Sequence, residues 1–282
     1  MAVHPFRIVN VFTRGREPLS GNPLCVFEDG TGFDTATMQA LALQFILSET
    51  SFILPSSIAD ARVRIFTPRY EMPFAGHPTL GTAHVLRAMR PGLDELQLET
   101  GAGCVAVRAE RDHWTLTAPT TTWREVDAMP AQLAAGLGVH AADIAERPLW
   151  VKAGREQLIV PVNSADAVRR AAPRPEALAQ LRSEDGAPMA YVFAQLGSGS
   201  LLARFFFPQG QIWLEDPATG SATANLGGWC LAMRRALPLD FEIAQGEATG
   251  RPSQLRLRVS SEGRIEVGGE VIEIGSGSVQ LD

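Results

Sequence analysis

The sequence contains two copies of one pattern, and this duplication constrains the fold more than any other feature. Each copy reads R-x-F-x-P and then, after a short spacer, E-x-P-x-x-G-x-x-T. Arg64 and Arg204 open the two copies and are 140 positions apart, while Glu71 and Glu215 are 144 positions apart. Both offsets are close to half of the 282 residues. A repeat of this length indicates a duplicated domain rather than a solenoid unit.

The duplication predicts two similar lobes. Pro119 and the threonine run at 120–122 interrupt the periodic pattern, so we expect the lobes to join within residues 118–129. The expected ranges are 1–120 for the first lobe and 125–267 for the second. We expect the tail, about residues 268–282, to pack on the first lobe.

Local patterns predict an α+β fold. Short β-branched or alternating runs predict strands in both halves, and the tail at 265–281 alternates like a closing hairpin. Residues 35–47 have the period of an amphipathic helix, with Asp34 as its N-cap. Helices at 77–89 and 221–233 begin at the repeated motif and carry few charges, which predicts burial on most sides. We therefore expect two pseudo-symmetric lobes of mixed sheet, each wrapped around a central helix.

Composition excludes several classes of protein. The formal net charge is −6 and no basic run exceeds a pair, which disfavours nucleic-acid binding. Nowhere do about eighteen uncharged apolar residues follow one another, so we expect no membrane span, and the N-terminus has no signal-peptide pattern. The three cysteines are scattered, which disfavours a disulfide framework or a zinc site and indicates a cytoplasmic protein.

The two motif helices suggest where a ligand binds. In each copy a proline and a glycine lead into the helix, and Gly76 and Gly220 are the glycines. A helix start carries unpaired N–H groups and a partial positive charge that suit a carboxylate or phosphate. If the two halves face one another, both helix starts point into one cleft. A single such glycine would only cap a buried helix, but the duplicated pair favours a site for a small anion.

Four side chains near these helices could carry chemistry, and each also has a structural interpretation. His77 is the one histidine of five at a motif position, although a lone histidine is usually structural. Asp216 fits a helix cap and a catalyst equally well, and Ser221 lacks the context of a hydrolase nucleophile. Glu49 follows the amphipathic helix, where a carboxylate is often solvated. In a closed cleft it would act as base and then as acid.

These residues lie in blocks that resemble the PhzF-like family, whose fold is that of diaminopimelate epimerase. The blocks keep the order of the family from residue 9 to about 228. They are VFT at 11–13, PLSGNP at 18–23, LSETSF at 47–52, FTP at 66–68, EMPFAGHPTLG at 71–81 and EDPATGSA at 215–222.

The resemblance implies an active site in the cleft between two lobes, a homodimer, and neither a metal nor an organic cofactor. It implies that Glu49 is the catalytic acid/base and that His77 and Asp216 bind and polarise a small anionic metabolite. The implied substrate-binding residues are Ser48, Gly76, Gly220 and Ser221.

One departure from the pattern bears on the reaction. Diaminopimelate epimerase has paired catalytic cysteines just before the two motif glycines, where this chain has Ala75 and Thr219. We therefore expect a single-carboxylate proton shift, in which Glu49 removes and returns one proton on the same face of the substrate. An amino-acid or hydroxy-acid epimerase, a dehydratase and a non-catalytic anion-binding protein remain the alternatives. The sequence does not name the substrate.

Overall fold

A computed structural model describes residues 2–178, 180–186, 188–210 and 212–281. Positions 1, 179, 187, 211 and 282, which fall inside the expected lobe ranges, lie outside the described residues. The chain divides into two compact units. Unit 1 comprises residues 1–117 with 268–282, and unit 2 comprises residues 118–267.

Unit 1 is built mainly from strands. Its strands are β1 (Ala2–Thr13), β2 (Asn22–Phe27), β3 (Glu49–Leu54), β4 (Ala61–Phe66), β5 (Glu71–Met72), β6 (Glu95–Thr100), β7 (Gly103–Glu110) and β8 (His113–Thr117). Two helices accompany them, α1 (Thr35–Phe45) and α2 (Gly76–Met89).

Unit 2 follows with the same kinds of element. Its strands are β9 (Thr122–Glu125), β10 (Leu149–Lys152), β11 (Glu156–Pro161), β12 (Ala190–Gln195), β13 (Ser200–Gln209), β14 (Ile212–Asp216), β15 (Leu239–Gln245) and β16 (Ser253–Val259). Its α-helices are α3 (Pro130–Leu137), α4 (Ala165–Arg170), α5 (Pro175–Leu178) and α6 (Gly220–Ala232). Short 3₁₀ turns occupy Ala141–Asp143 and Glu247–Thr249, and β17 (Ile265–Leu281) runs from unit 2 into unit 1.

The two units repeat one order of strand pairing. In unit 1, β1 pairs antiparallel with β2, β2 parallel with β3, and β3 antiparallel with β4. β4 then pairs antiparallel with β5 and parallel with β6, which pairs antiparallel with β7. In unit 2 the strands from β10 to β16 repeat these six pairings with the same directions. The fold is therefore α+β with two pseudo-symmetric halves.

Each unit encloses one central helix, as the sequence predicts. Most residues of α2 and of α6 are buried. α2 packs on β1, β2, β3 and β8, and α6 packs on β9, β10, β11 and β16. Both helices begin one residue earlier than expected, at the motif glycine itself. The close approach of helix and sheet explains the many small residues in both helices.

The residues that open the repeat form the same contacts in both units. Arg64 donates to both carboxylate oxygens of Glu71, at 2.7 and 2.6 Å, and its guanidinium lies 5.1 Å from the ring centre of Phe66. Arg204 likewise binds Glu215 with both arms and lies 4.7 Å from the ring centre of a phenylalanine two residues on. The spacing common to the two copies is thus explained by an ion pair that joins neighbouring strands and a cation–π contact within the first of them.

Each unit contains an apolar core cluster. In unit 1 a cluster of phenylalanines packs between α1 and the sheet, with the rings of Phe27 and Phe52 stacked 4.8 Å apart. In unit 2 a core around Trp150 and Phe206 packs against α3, α4 and α5. Among the described residues, no helix combines the length and the apolar character that a membrane span needs.

Three local expectations need correction or completion. The tail is not a hairpin but one strand, β17, whose residues 270–281 pair antiparallel with β1 from end to end. Its glycines do not make turns; Gly277, for instance, faces the ring of Phe6, where an added Cβ would lie 2.8 Å from a ring carbon. α1 ends before Ile46, which adopts a left-handed conformation and is exposed. The sequence patterns missed α3, α4 and α5, while Asp34 caps α1 as expected.

Candidate active site

Unit 1 brings Glu49 and His77 together. Glu49 is the first residue of β3, and His77 is the second residue of α2. His77 Nε2 lies 3.2 Å from Glu49 Oε2, and the two side chains are 7% and 16% exposed. Glu49 is therefore not a solvated carboxylate at the end of an element. Ser48 directly precedes Glu49 and is half-buried, and Gly76 begins α2 and is buried.

The contact between these two side chains is not an ion pair at neutral pH. Burial lowers the pKa of His77 to about 3, so its imidazole is neutral. The ring also hydrogen-bonds to Pro23, and because proline has no N–H, the proline carbonyl accepts. With Nε2 facing Glu49, the ring proton lies on Nδ1 and Nε2 presents a lone pair. A hydrogen bond between Nε2 and Oε2 therefore forms only when Glu49 carries the proton.

Unit 2 brings Asp216 and the start of α6 together. Asp216 ends β14, and the hydroxyl of Thr219, the N-cap residue of α6, donates to its Oδ2. Beneath this loop lies the fully buried side chain of Gln245. Its Nε2 donates to the carbonyl of Asp216 at 2.9 Å and to Thr219 Oγ1 at 3.1 Å. Because Oγ1 receives that N–H, its own proton is directed to Asp216, which is thereby held as a hydrogen-bond acceptor.

Both central helices start where a ligand could satisfy their N–H groups. α2 begins at Gly76 after Ala75, whose side chain has no polar atom, and α6 begins at Gly220 after Thr219, whose hydroxyl is directed at Asp216. Neither first turn contains an acidic residue. The first N–H groups of each helix are therefore not capped by these preceding residues, an arrangement suited to an anion.

The second residue of α6, Ser221, accepts a hydrogen bond from a buried amide side chain. Gln157 Nε2 donates to Ser221 Oγ at 3.0 Å, and Gln157 Oε1 accepts from Asn225 Nδ2 at 2.8 Å. Gln157 and Asn225 are buried, at 2% and 0% exposure. Sequence reasoning missed these two residues and also Gln245. Asn225 gave the clearest signal, since it is a polar residue in the middle of a helix that the pattern predicts to be buried.

The strand registers show that the duplication is chemically asymmetric. Phe66 and Phe206 are repeat partners, and their strand partners, Thr50 and Ala190, therefore hold equivalent places. The residues just before that pair are Glu49 in unit 1 and Met189 in unit 2. In the repeat itself, Asp216 of unit 2 corresponds to Met72 of unit 1. Each unit thus supplies one carboxylate at a place where the other unit has methionine.

Comparison with known proteins agrees with this architecture. The family model described as phenazine biosynthesis-like protein matches residues 9–277. An uncharacterised isomerase of Pasteurella multocida is 36% identical over 98% of this chain and 94% of its own length. The trans-2,3-dihydro-3-hydroxyanthranilate isomerase of Pseudomonas aeruginosa is 35% identical over 99% of this chain and its full length. The crystal structure of a PhzF-family phenazine biosynthesis protein from Bacillus anthracis matches with a TM-score of 0.88, 23% identity and full coverage of both chains.

The duplicated α+β fold is of the epimerase-like class, and the relatives named as isomerases define this protein as an isomerase. The chain belongs to the phenazine biosynthesis-like, or PhzF, family. The resemblance that the sequence motifs carry is confirmed.

Proposed function

We propose that this isomerase moves one proton between two carbons of a small carboxylate metabolite, with Glu49 as the single acid/base. One observation supports the proposal above the others, namely the 3.2 Å contact of Glu49 with a neutral His77. A proton carrier must be able to hold its proton between two transfers. The lone pair of His77 Nε2 accepts a hydrogen bond from the acid form of Glu49 and from no other form.

The proposed reaction conserves the proton and needs no electron acceptor. The Glu49 carboxylate removes a proton from an acidified C–H, and the electron pair moves into the conjugated system of the substrate. Glu49 then returns the same proton to a second carbon on the same face. The N–H groups at the helix starts stabilise the negative charge that develops on the substrate carboxylate. We propose that no metal or organic cofactor takes part.

The hydrogen-bonding groups of the candidate site support one class of substrate, a small carboxylate that also carries a hydrogen-bond donor. Because Asp216 is held as an acceptor, we propose that it binds a donor such as an amino or hydroxyl group of the substrate. The helix starts suit the carboxylate. A cyclic amino-hydroxy carboxylate has both groups, as does the compound in the name of the Pseudomonas aeruginosa relative. Both sets of residues would serve one substrate molecule in the cleft expected between the lobes of a homodimer.

The positions before the motif glycines disfavour two-base racemisation. Ala75 has no group that can carry a proton. The Thr219 hydroxyl accepts from Gln245 and donates to Asp216, so its hydrogen bonds are already used within unit 2. Glu49 is therefore the better candidate for the whole proton transfer.

Incubation of trans-2,3-dihydro-3-hydroxyanthranilate and a panel of small carboxylates in heavy water tests the proposal. We expect isomerisation of at least one compound, with a fraction of the product retaining the transferred proton because one group removes and returns it. Epimerisation with complete incorporation of solvent deuterium would support the two-base alternative. Binding across the panel without turnover or exchange would support a non-catalytic anion-binding protein and contradict the proposal.

A further inference from the structure

The buried amides behind Ser221 have only one possible orientation, which the backbone sets. The Ala153 N–H donates to Asn225 Oδ1 at 2.7 Å, and the Arg155 carbonyl accepts from Asn225 Nδ2 at 3.0 Å. A backbone N–H can only donate and a carbonyl can only accept, so the Asn225 amide cannot be flipped. Its second N–H is therefore directed to Gln157.

The orientation of Asn225 fixes that of Gln157, which in turn fixes the hydrogen bond to Ser221. Gln157 Oε1 must accept from Asn225 Nδ2, which leaves Gln157 Nε2 to donate to Ser221 Oγ. A serine hydroxyl has one proton to give, and here its oxygen already receives an N–H. The Ser221 proton is therefore directed away from Gln157. The relay, by which we mean Asn225, Gln157 and Ser221, begins at two backbone groups and ends at a hydroxyl in the first turn of α6.

The fold does not require this relay, because unit 1 fills the same places with apolar atoms. Leu158 pairs with Ala190 and Cys25 with Thr50, so the residues just before them, Gln157 and Leu24, hold equivalent places. Asn225 corresponds in the same way to Gly81, five residues after the motif glycine. An added Cβ at Gly81 would lie 2.6 Å from Leu24 Cδ2, so helix and strand pack directly there. Unit 2 instead buries two amides, which cost desolvation unless their hydrogen bonds are complete.

We infer that Gln157 and Asn225 are positioning residues, which fix Ser221 as a hydrogen-bond donor to the carboxylate of the substrate. The inference rests on the proposed function, in which the start of α6 binds that carboxylate. A serine hydroxyl that could rotate freely would also accept a hydrogen bond from an amino group. Gln157 occupies one of the two lone pairs of Ser221 Oγ and directs the Ser221 proton away from itself, so the start of α6 favours an acceptor while Asp216, held by Thr219, favours a donor. The two ends of the substrate are thereby distinguished.

A double-mutant cycle between Gln157 and Ser221 tests the inference. Binding of anthranilate, as a stable amino carboxylate probe, would be measured by calorimetry for Gln157→Leu, Ser221→Ala and the double variant. Gln157→Leu copies the leucine that unit 1 has at position 24, so we expect it to fold. We expect each single variant to weaken binding about tenfold and the double variant to be no weaker than Ser221→Ala alone. Gln254→Leu, on β16, is the matched control and should bind as wild type does.

Additive losses in the double variant would overturn the inference, because Gln157 would then act independently of Ser221. Unchanged binding by Gln157→Leu would overturn it as well. A second measurement needs no ligand: the Gln157 side-chain amide resonances should shift in Ser221→Ala and stay in place in Gln254→Leu. If wild type fails to bind anthranilate, the proposed substrate class fails, while the resonances still decide whether the relay exists. Unmoved resonances would contradict the relay.

Discussion

At the scale of single residues, the chemistry depends on which atoms carry protons. His77 is buried, neutral and bonded to the Pro23 carbonyl, so it turns a lone pair towards Glu49. Asp216 receives the Thr219 hydroxyl and is an acceptor. Gln157 Nε2 donates to Ser221 Oγ, which directs the Ser221 proton away from Gln157. These polarities follow from donors and acceptors already used within the protein, and they support the roles proposed for Glu49, Asp216 and Ser221.

The burial of His77 predicts a pH dependence of stability. Its pKa is about 3 in the folded protein, below the ordinary value of 6.5, so the unfolded chain binds a proton that the folded chain does not. This histidine therefore costs no stability above pH 6.5, and stability is lost as the pH falls from 6.5 towards 3. Between pH 7 and pH 5 the loss from this one group is about 2 kcal/mol.

Urea unfolding of wild type and His77→Gln at pH 7 and pH 5 measures this contribution. The free energy of unfolding should fall between the two pH values by about 2 kcal/mol less in His77→Gln than in wild type. His84, whose pKa burial also lowers, is present in both proteins and does not affect the difference. An equal fall in both proteins would show that the pKa of His77 is the same in the folded and the unfolded chain, and would contradict the prediction.

At the scale of elements, the repeat holds a strand, a loop and a helix together in each unit. The arginine–glutamate pairs join β4 to β5 and β13 to β14, just before the loops that lead into α2 and α6. A glycine after the next strand then lies against the proline of each loop. An added Cβ at Gly101 would lie 2.9 Å from Pro73 Cα, and one at Gly246 would lie 2.5 Å from Pro217 O. The loop that carries Asp216 is thus fixed from both sides.

Gly246 and Gly250 form a matched pair that tests this close approach. Both have a positive φ, of 83° and 72°, so alanine is strained at either place by about 1 kcal/mol. Only Gly246 is crowded, with carbonyl oxygens 2.3 and 2.5 Å from an added Cβ, whereas Gly250 faces open space. We expect Gly246→Ala to lower the free energy of unfolding by about 3 kcal/mol and to reduce turnover.

Chemical unfolding and steady-state kinetics of both variants provide the measurement. Gly250→Ala should lose about 1 kcal/mol of stability and keep the wild-type kcat, because an added Cβ at Gly250 faces open space, whereas one at Gly246 meets Pro217. Equal effects of the two substitutions on stability and kcat would contradict the prediction, because the contact of Gly246 with Pro217 would then contribute to neither quantity.

At the scale of the whole molecule, the repeated motif was sufficient to predict the duplication and the two central helices, and local strand and helix patterns predicted the α+β class. Long-range register was not predictable, because it depends on which strands pair. Glu49 and Met189, or Asp216 and Met72, become comparable only once the pairings of Thr50 and Ala190 are known. The tail illustrates the same limit, since the alternation that suggested a hairpin belongs instead to one strand, β17, that pairs with β1.

The places of His77 and Ser221 in the first turns of α2 and α6 were predictable, because the motif supplied both residue and spacing, while their roles remain predictions. The hydrogen-bonding residues behind them were not predictable, because Gln157 and Gln245 lie on strands whose sequence neighbours give no sign of function. The cytoplasmic location, the homodimer and the common cleft remain predictions.

The central claim is that Glu49 carries the proton and does little else, and Glu49→Gln tests it most directly. Glutamine keeps the size of the side chain but cannot transfer a proton, so we expect kcat to fall by at least about a thousandfold. The dissociation constant of anthranilate should stay within about threefold of wild type, and Glu110→Gln, at an exposed strand end, should leave both quantities unchanged. A Glu49→Gln variant that still turns over its substrate at near the wild-type rate would contradict the account.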